Sequence, residues 1–181
     1  MRFLRKNWIH ITVWGLMIVY LFVSPLIEAK YFLHQGKPVA LDTVSAVETG
    51  QLRYSFDKIS EVKTQGEKVY KINGWSFLPS AQSLEEHEVF IAVTVQGKRV
   101  FYPVVAGKRR DVAKAFPEIP FDLLYSGFSS FVAKETITMG SHPVGILYRN
   151  KATGETLYQE TDYKLVRTPN TLSIVLPEVA E

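Results

Sequence analysis

Apolar and polar residues alternate in short stretches along most of the chain beyond residue 50. In VYKING, residues 69–74, successive side chains point to opposite faces, which is the two-residue period of a β-strand. Similar runs rich in β-branched and aromatic residues are QLRYSF (51–56), VYKINGWSF (69–77), EVFIAVTV (88–95), RVFYPVV (99–105), LLYSGFSSFVA (123–133), VGILYR (144–149), TLYQE (156–160) and YKLVR (163–167). These regular short strands predict a mainly β fold, an antiparallel β-sandwich, with a barrel as the alternative.

Turn residues separate the strands and predict two hairpins. Gln96-Gly97 lies inside residues 93–100, and Ala152-Thr153-Gly154 lies inside residues 148–158. Both combinations favour the tight turns that join antiparallel strands. We therefore expect each hairpin to bring its two strands together as neighbours in the sheet.

Helical pattern after the N-terminus is limited to one turn at residues 111–116. Asp111 is positioned to cap this turn by accepting from backbone N–H groups, and two prolines stop it from continuing. Arg109 or Arg110 is expected to pair with Asp111. The stretch 107–128 is therefore predicted to be a structural corner that joins two strands, with Asp111 as its pivot.

The N-terminus has a different pattern. Arg2, Arg5 and Lys6 precede a run without formal charge from Trp8 to Ile27, long enough to span a bilayer as a helix. The basic flank predicts a cytoplasmic N-terminus and an extracytoplasmic remainder. A cleaved signal peptide is the alternative. The predicted domains are a cytoplasmic tail at 1–7, a transmembrane anchor at 8–28, a linker at 29–38 and the extracytoplasmic β-sandwich at 39–181.

Charge and cysteine content narrow the function classes. The net charge of +3 arises within the first 30 residues, and the remainder carries equal numbers of acidic and basic side chains. The excess of basic residues therefore indicates the orientation of the chain in a membrane, and we expect no nucleic-acid partner. Cysteine is absent, which excludes disulfides, thiol nucleophiles and thiolate metal sites. This composition favours a single-pass protein of the cell membrane on a bacterial surface.

Four short motifs occur in a recognisable order. They are Gly74-Trp75, Arg110-Asp111-Val112, Ser126-Gly127-Phe128 and the glycine-containing HPVGILYRN. The set resembles a β-sandwich accessory module associated with bacterial cell-surface glycosyltransferases and envelope-glycan assembly proteins. The resemblance covers residues 68–150 and implies an Ig-like or jelly-roll-like fold, with Gly74, Trp75, Asp111, Gly127 and Phe128 as structural residues. Such modules usually accompany a catalytic domain, and we expect none within these 181 residues.

Residue types suited to catalysis or metal binding occur without a complete motif. Ser141 and His142, with Asp111 or Asp122, contain the elements of a hydrolase triad, but no nucleophile elbow surrounds the serine. The acidic stretch at 85–88, which includes His87, offers oxygen ligands without the shaped loop that a hard cation needs. We expect no catalytic residue, no metal and no cofactor.

A basic patch is the main candidate for interaction. It comprises Lys98, Arg99, Lys108, Arg109 and Arg110. If the 93–106 hairpin and the following corner lie together, these side chains present positive charge to an anionic glycan, a lipid headgroup or an acidic protein. The alternative is a solvated rim. Trp75 and Phe128 are expected in the core, although an exposed Trp75 would suit a sugar ring.

Three function classes follow. The first is a non-enzymatic accessory protein whose anchor, residues 8–28, holds a β-sandwich beside a membrane protein partner, as a subunit of an envelope-glycan complex. The second is a binding module for carbohydrate or another surface polymer. The third, an enzyme, requires a pocket with converging titratable groups. The sequence favours the first.

Overall fold

The computed structural model describes residues 13–20, 36–41, 46–64 and 67–176. Residues 13–20 are helical, and every one of them is exposed within the chain. In these described ranges no helix is both long enough and apolar enough to cross a membrane. The other parts of the predicted anchor, residues 8–12 and 21–28, lie outside the described residues. A separate compact unit, Leu33–Glu181, contains all the described strands.

The described part of this unit is mainly β, as the sequence predicts. Its strands are β1 (Val47–Glu48), β2 (Arg53–Thr64), β3 (Glu67–Phe77), β4 (His87–Val95), β5 (Lys98–Gly107), β6 (Gly127–Ala133), β7 (Gly140–Asn150), β8 (Thr156–Arg167) and β9 (Leu172–Val175). Short 3-10 turns occupy Leu84–Glu86 and Lys134–Thr136, and one helix occupies Arg110–Ala115. The predicted helical turn is thus present, one residue earlier than its pattern indicated.

The strands form one continuous sheet in the order β1-β8-β7-β4-β5-β6-β3-β2, and β9 also pairs with β8. β5 joins the two halves, because Lys98–Pro103 pairs with β4 and Val104–Gly107 pairs with β6. The sheet therefore curls into a half-barrel, whereas the sequence analysis predicted a sandwich of antiparallel strands. Pairing is antiparallel except between β1 and β8, which run parallel. The long β5 explains the difference, since it continues through both halves without a break.

The main core lies between the two halves of the curled sheet. Every described strand except β1 contributes to it, with alternate residues such as Ile72 from β3, Ile91 from β4 and Ile146 from β7, all fully buried. One pair of buried polar groups meets in this core: the hydroxyls of Ser76 and Tyr148 lie 2.8 Å apart. Burial raises the pKa of Tyr148, so this phenol stays neutral and acts within the core as a hydrogen-bonding group.

A strap formed by residues 36–41 and 46–49 lies along the outer face of the β4–β5–β7–β8 half. Its first contact is the carbonyl of Gly36, which accepts from Ala133 N at 2.9 Å, and Val39 N then donates to the carbonyl of Phe101 at 2.8 Å. Leu41 packs against a second apolar cluster beneath the strap. The buried members of this cluster are Phe90, Ala92, Phe101, Leu147 and Tyr158. Residues 36–38, assigned to the linker by sequence, are therefore already held against the folded domain.

Both predicted hairpins are confirmed. The β4–β5 turn has left-handed backbone at Gln96 (φ 50°) and Gly97 (φ 74°), as a two-residue turn requires. The runs at 156–160 and 163–167 form a single strand, β8, which is irregularly paired opposite Pro143 and Gly145. The residues between those two runs therefore interrupt the pairing without ending the strand.

Candidate functional site

Three of the sequence motifs meet at the corner formed by residues 107–128. Trp75 pairs with Gly127 and Gly74 pairs with Phe128, which places β3 beside β6. A Cβ on Gly74 would lie 2.3 Å from the carbonyl oxygen of Ser55 and 2.6 Å from the Phe128 ring. Only glycine fits there, because the Phe128 ring packs directly over its backbone.

Trp75 is half-buried on the outer face of the sheet, so its predicted place in the core between the two halves is wrong. Its ring stacks on Phe77 at 5.8 Å and lies 5.6 Å from Phe116. Val112 and Leu123 complete this outer cluster, which the corner segment covers. The reason is the strand period: Gly74 and Ser76 face the main core, which turns Trp75 and Phe77 outward. By contrast, Phe128 is 5% exposed in the main core, as predicted.

Arg109 holds the corner in place. Its guanidinium donates to Asp57 on β2 at 2.6 Å and to Asp111 at 2.7 and 2.9 Å. Its backbone N–H donates to the carbonyl of Leu124 at 2.7 Å. Its stem fills the space above Gly127, where a Cβ would lie 2.6 Å from Arg109 Cγ. The predicted pairing of Arg109 with Asp111 is present. However, the Arg109 side chain is only 21% exposed and joins the corner to β2, so it is not a solvated rim residue.

Asp111 does not cap the helix. The N-cap position belongs to Arg109, which makes no side-chain capping bond, and Asp111 lies in the first turn. The hydrogen bond from Arg109 lowers the pKa of Asp111 to about 2. The same bond raises the pKa of Arg109. The pivot of the corner is therefore Arg109, held between two carboxylates, and Asp111 is one of its partners.

The five residues of the predicted basic patch do not lie together. Lys98 and Arg99 begin β5, whereas Lys108, Arg109 and Arg110 follow its end. Eight residues of strand, 100–107, lie between the two groups, which is roughly 30 Å along the extended chain. The prediction assumed that the hairpin turn and the corner are neighbours, but they lie at opposite ends of one strand.

Several of these cations also have partners of their own. Arg99 pairs with Glu48 at 3.2 Å and lies over the Tyr158 ring at 3.8 Å. Lys108 Nζ lies 5.5 Å from the centre of the exposed Tyr125 ring. In each group one arginine is paired with carboxylates: Arg99 with Glu48, and Arg109 with Asp57 and Asp111.

The candidate triad is not assembled. The ring nitrogens of the buried His142 lie 3.2 Å from the Thr94 carbonyl oxygen and 2.8 Å from that of Thr138. Asp122 accepts from the backbone N–H of Leu124 at 2.8 Å. Asp111, the other candidate acid, accepts hydrogen bonds from the Arg109 guanidinium. His142, Asp122 and Asp111 are thus each bonded to neighbouring groups of the fold instead of to one another.

The acidic stretch at 85–88 is likewise engaged. Glu88 pairs with Arg149, and burial lowers the pKa of His87, whose ring lies 5.7 Å from Tyr148. Within the described ranges no group of three or more histidine, aspartate or glutamate side chains has metal-binding geometry. The stretch forms a short 3-10 turn and the start of β4.

One surface was missed by the sequence analysis. Strand register places Lys58, Asn73, Ser129 and Val105 in a single row across β2, β3, β6 and β5. Their strand neighbours Ile72 and Phe128 face the main core, so this row faces outward. With Ser60 and Lys71 of the adjacent row, we call this surface the outer strip. The alternation in VYKING contained the signal for β3, but strand order was needed to assemble the row.

Comparison with known proteins yields no match: no family model, no curated protein and no solved structure resembles this chain closely enough to count. Fold alone does not determine function. The function must therefore be argued from the apolar N-terminal run, the corner and the outer strip.

Proposed function

We propose that the protein is a non-enzymatic, single-pass membrane protein that presents its curled β-sheet domain outside the cytoplasm. In this proposal residues 8–28 lie in the bilayer and residues 1–7 remain in the cytoplasm. The domain serves as the interaction module of a membrane complex. Participation in envelope-glycan assembly rests on the resemblance of the corner motifs and is the finer part of the proposal.

The observation that carries the proposal is the uncovered apolar segment. Eight described residues, 13–20, form helix, and their large apolar side chains are half to two-thirds exposed within the chain. Trp14 is 63% exposed and Leu16 is 65% exposed. A continuous apolar surface of this kind normally marks contact with lipid or another protein. Together with the basic flank at Arg2 to Lys6, it supports a lipid-embedded helix with the N-terminus inside.

The state of the nominated chemical groups supports a role in interaction and not in catalysis. Asp111 is bound to Arg109, Glu88 to Arg149, and His142 to backbone carbonyls. An active site needs titratable groups that converge on a shared space where a substrate can react. The groups of this chain instead join neighbouring elements of the fold, which suits a rigid module held at the membrane surface.

Membrane extraction with charge-inserted variants tests the anchor. Membranes containing the full chain are washed with alkaline carbonate, and the protein is expected to stay in the pellet and to be released by detergent. Leu16→Lys combined with Val19→Lys should move it to the wash, because each lysine near the bilayer centre costs about 3 kcal/mol. The matched control is Val47→Lys with Leu176→Lys, two similarly exposed apolar residues of the β domain.

Each result bears on the proposal. Wild type in the wash would contradict an anchor, and a shortened soluble product would indicate a cleaved signal peptide instead. Loss of the control double variant from the pellet would contradict residues 8–28 as the attachment. The accessory role is tested by native gel electrophoresis of the detergent extract. We expect migration with a second membrane protein, and migration as a free 20.6 kDa chain would contradict that role.

A further inference from the structure

We infer that the outer strip is a binding site for an anionic polysaccharide lying across the strands. This goes beyond membrane attachment and does not depend on it, because the strip belongs to the β domain alone.

The strip lies between two covered parts of the same face. At one end the corner segment covers Trp75 and Phe77. At the other end Val69 and its partner Ala133, which lie one row beyond Lys71, are buried. The intervening surface crosses four neighbouring strands, which is about 14 Å at the usual strand spacing. An extended polymer chain can therefore lie across the sheet, with a boundary on each side of its path.

The charge of the strip has one sign. The two charged side chains of the strip, Lys58 and Lys71, are both basic. Asp57, beside Lys58 in the β2 irregularity, is already paired with Arg109 at 2.6 Å. Because Asp57 is already neutralised by Arg109, the two lysines favour a polymer that carries carboxylate or phosphate groups.

The remaining side chains of the strip are suited to hydroxyl groups. Ser129 Oγ donates to Asn73 Oδ1 at 2.9 Å, an arrangement that leaves the Asn73 amide nitrogen as a donor and the serine oxygen as an acceptor. Ser60 adds another hydroxyl in the next row. A lipid surface would favour more exposed apolar area than Val105 supplies.

Binding of defined glycans by the full chain tests the inference. The protein is placed in nanodiscs of zwitterionic lipid, and its affinity is measured for polygalacturonate, a carboxylated polymer, and for dextran, a neutral one. We expect polygalacturonate to bind at least tenfold more tightly, and increasing salt to weaken that binding.

Substitutions then locate the site. Lys58→Gln with Lys71→Gln should weaken polygalacturonate binding roughly tenfold, and Ser129→Ala should weaken it roughly fivefold. The control is Lys98→Gln with Lys164→Gln, which removes the same charge from the other half of the sheet and should change affinity less than twofold. Melting curves establish that each variant remains folded.

Several results would overturn the inference. They are no binding of polygalacturonate by the folded parent, equal binding of dextran, or an equal loss in the Lys98 and Lys164 control. A fourth comes from nanodiscs that contain anionic lipid. If this lipid abolished glycan binding both by the parent and by the Lys58 and Lys71 variant, the two lysines would be assigned to the bilayer.

Discussion

Replacing Arg109 with alanine should loosen the corner that covers the outer cluster. The change removes charge-assisted hydrogen bonds to Asp57 and Asp111 and the stem that lies on Gly127. The Arg109 side chain is 21% exposed, so solvent screens part of the electrostatic contribution. Combining the lost bonds and packing, we expect the free energy of unfolding to fall by about 2 kcal/mol.

The assay is thermal unfolding of the full chain in detergent, followed by circular dichroism and by tryptophan fluorescence. A loss of this size corresponds to a fall in melting temperature of roughly 6–8 °C for a domain of this length. Arg110→Ala is the matched control, because Arg110 is exposed and its change should fall within about 0.5 kcal/mol. Arg109→Lys should recover part of the loss, since it restores charge without the planar fork.

An Arg109→Ala variant with the same melting temperature as the parent would contradict this role of Arg109. So would an equal loss in Arg110→Ala, because the effect would then come from general charge removal. A double-mutant cycle with Asp57→Asn gives the more specific check, since the two changes should be non-additive if the side chains are bonded.

Other predictions concern the same corner. Gly127→Ala should lower the free energy of unfolding, measured in urea, by about 1–3 kcal/mol, because the added Cβ meets Arg109 Cγ. The control is Gly50→Ala, which has open space around it and should change stability little. An equal loss in both variants would contradict close packing at Gly127. Trp75→Ala should cost about 3 kcal/mol in the same assay, and unchanged stability with lost glycan binding would assign Trp75 to recognition instead. Asp111, whose pKa is lowered to about 2, should contribute stability above pH 4 that is lost as pH falls toward 2. An acid titration in which Asp111→Asn lost stability over that window as steeply as the parent would contradict this.

The sequence predicts most strands because alternation and turn chemistry are local signals. The VYKING stretch and the Gln96-Gly97 turn illustrate this, since each is specified by residues next to one another in the chain. β1 and β9 were missed because they are short, and their pairing with β8 depends on residues far away in sequence. The single curled sheet follows from one long strand, β5, whose change of partner has no sequence signature.

The corner was only partly predictable for the same reason. The pairing of Arg109 with Asp111 is local and was anticipated, whereas Asp57 comes from a strand 52 residues away. Because the sequence does not reveal that partner, it predicted Arg109 as a solvated residue and Asp111 as a helix cap. The outer strip needs the register of four strands, so no local pattern could have joined Lys58 to Ser129.

The orientation of the chain in the membrane is the central claim, and site-directed labelling tests it most directly. Because the sequence contains no cysteine, single cysteines can be introduced at Asn7 and at Ala152, an exposed residue of the β7–β8 turn. A membrane-impermeant maleimide should label Ala152→Cys in intact cells after wall removal, and Asn7→Cys only after the membrane is permeabilised. Labelling of Asn7→Cys in intact cells together with protection of Ala152→Cys would contradict the account.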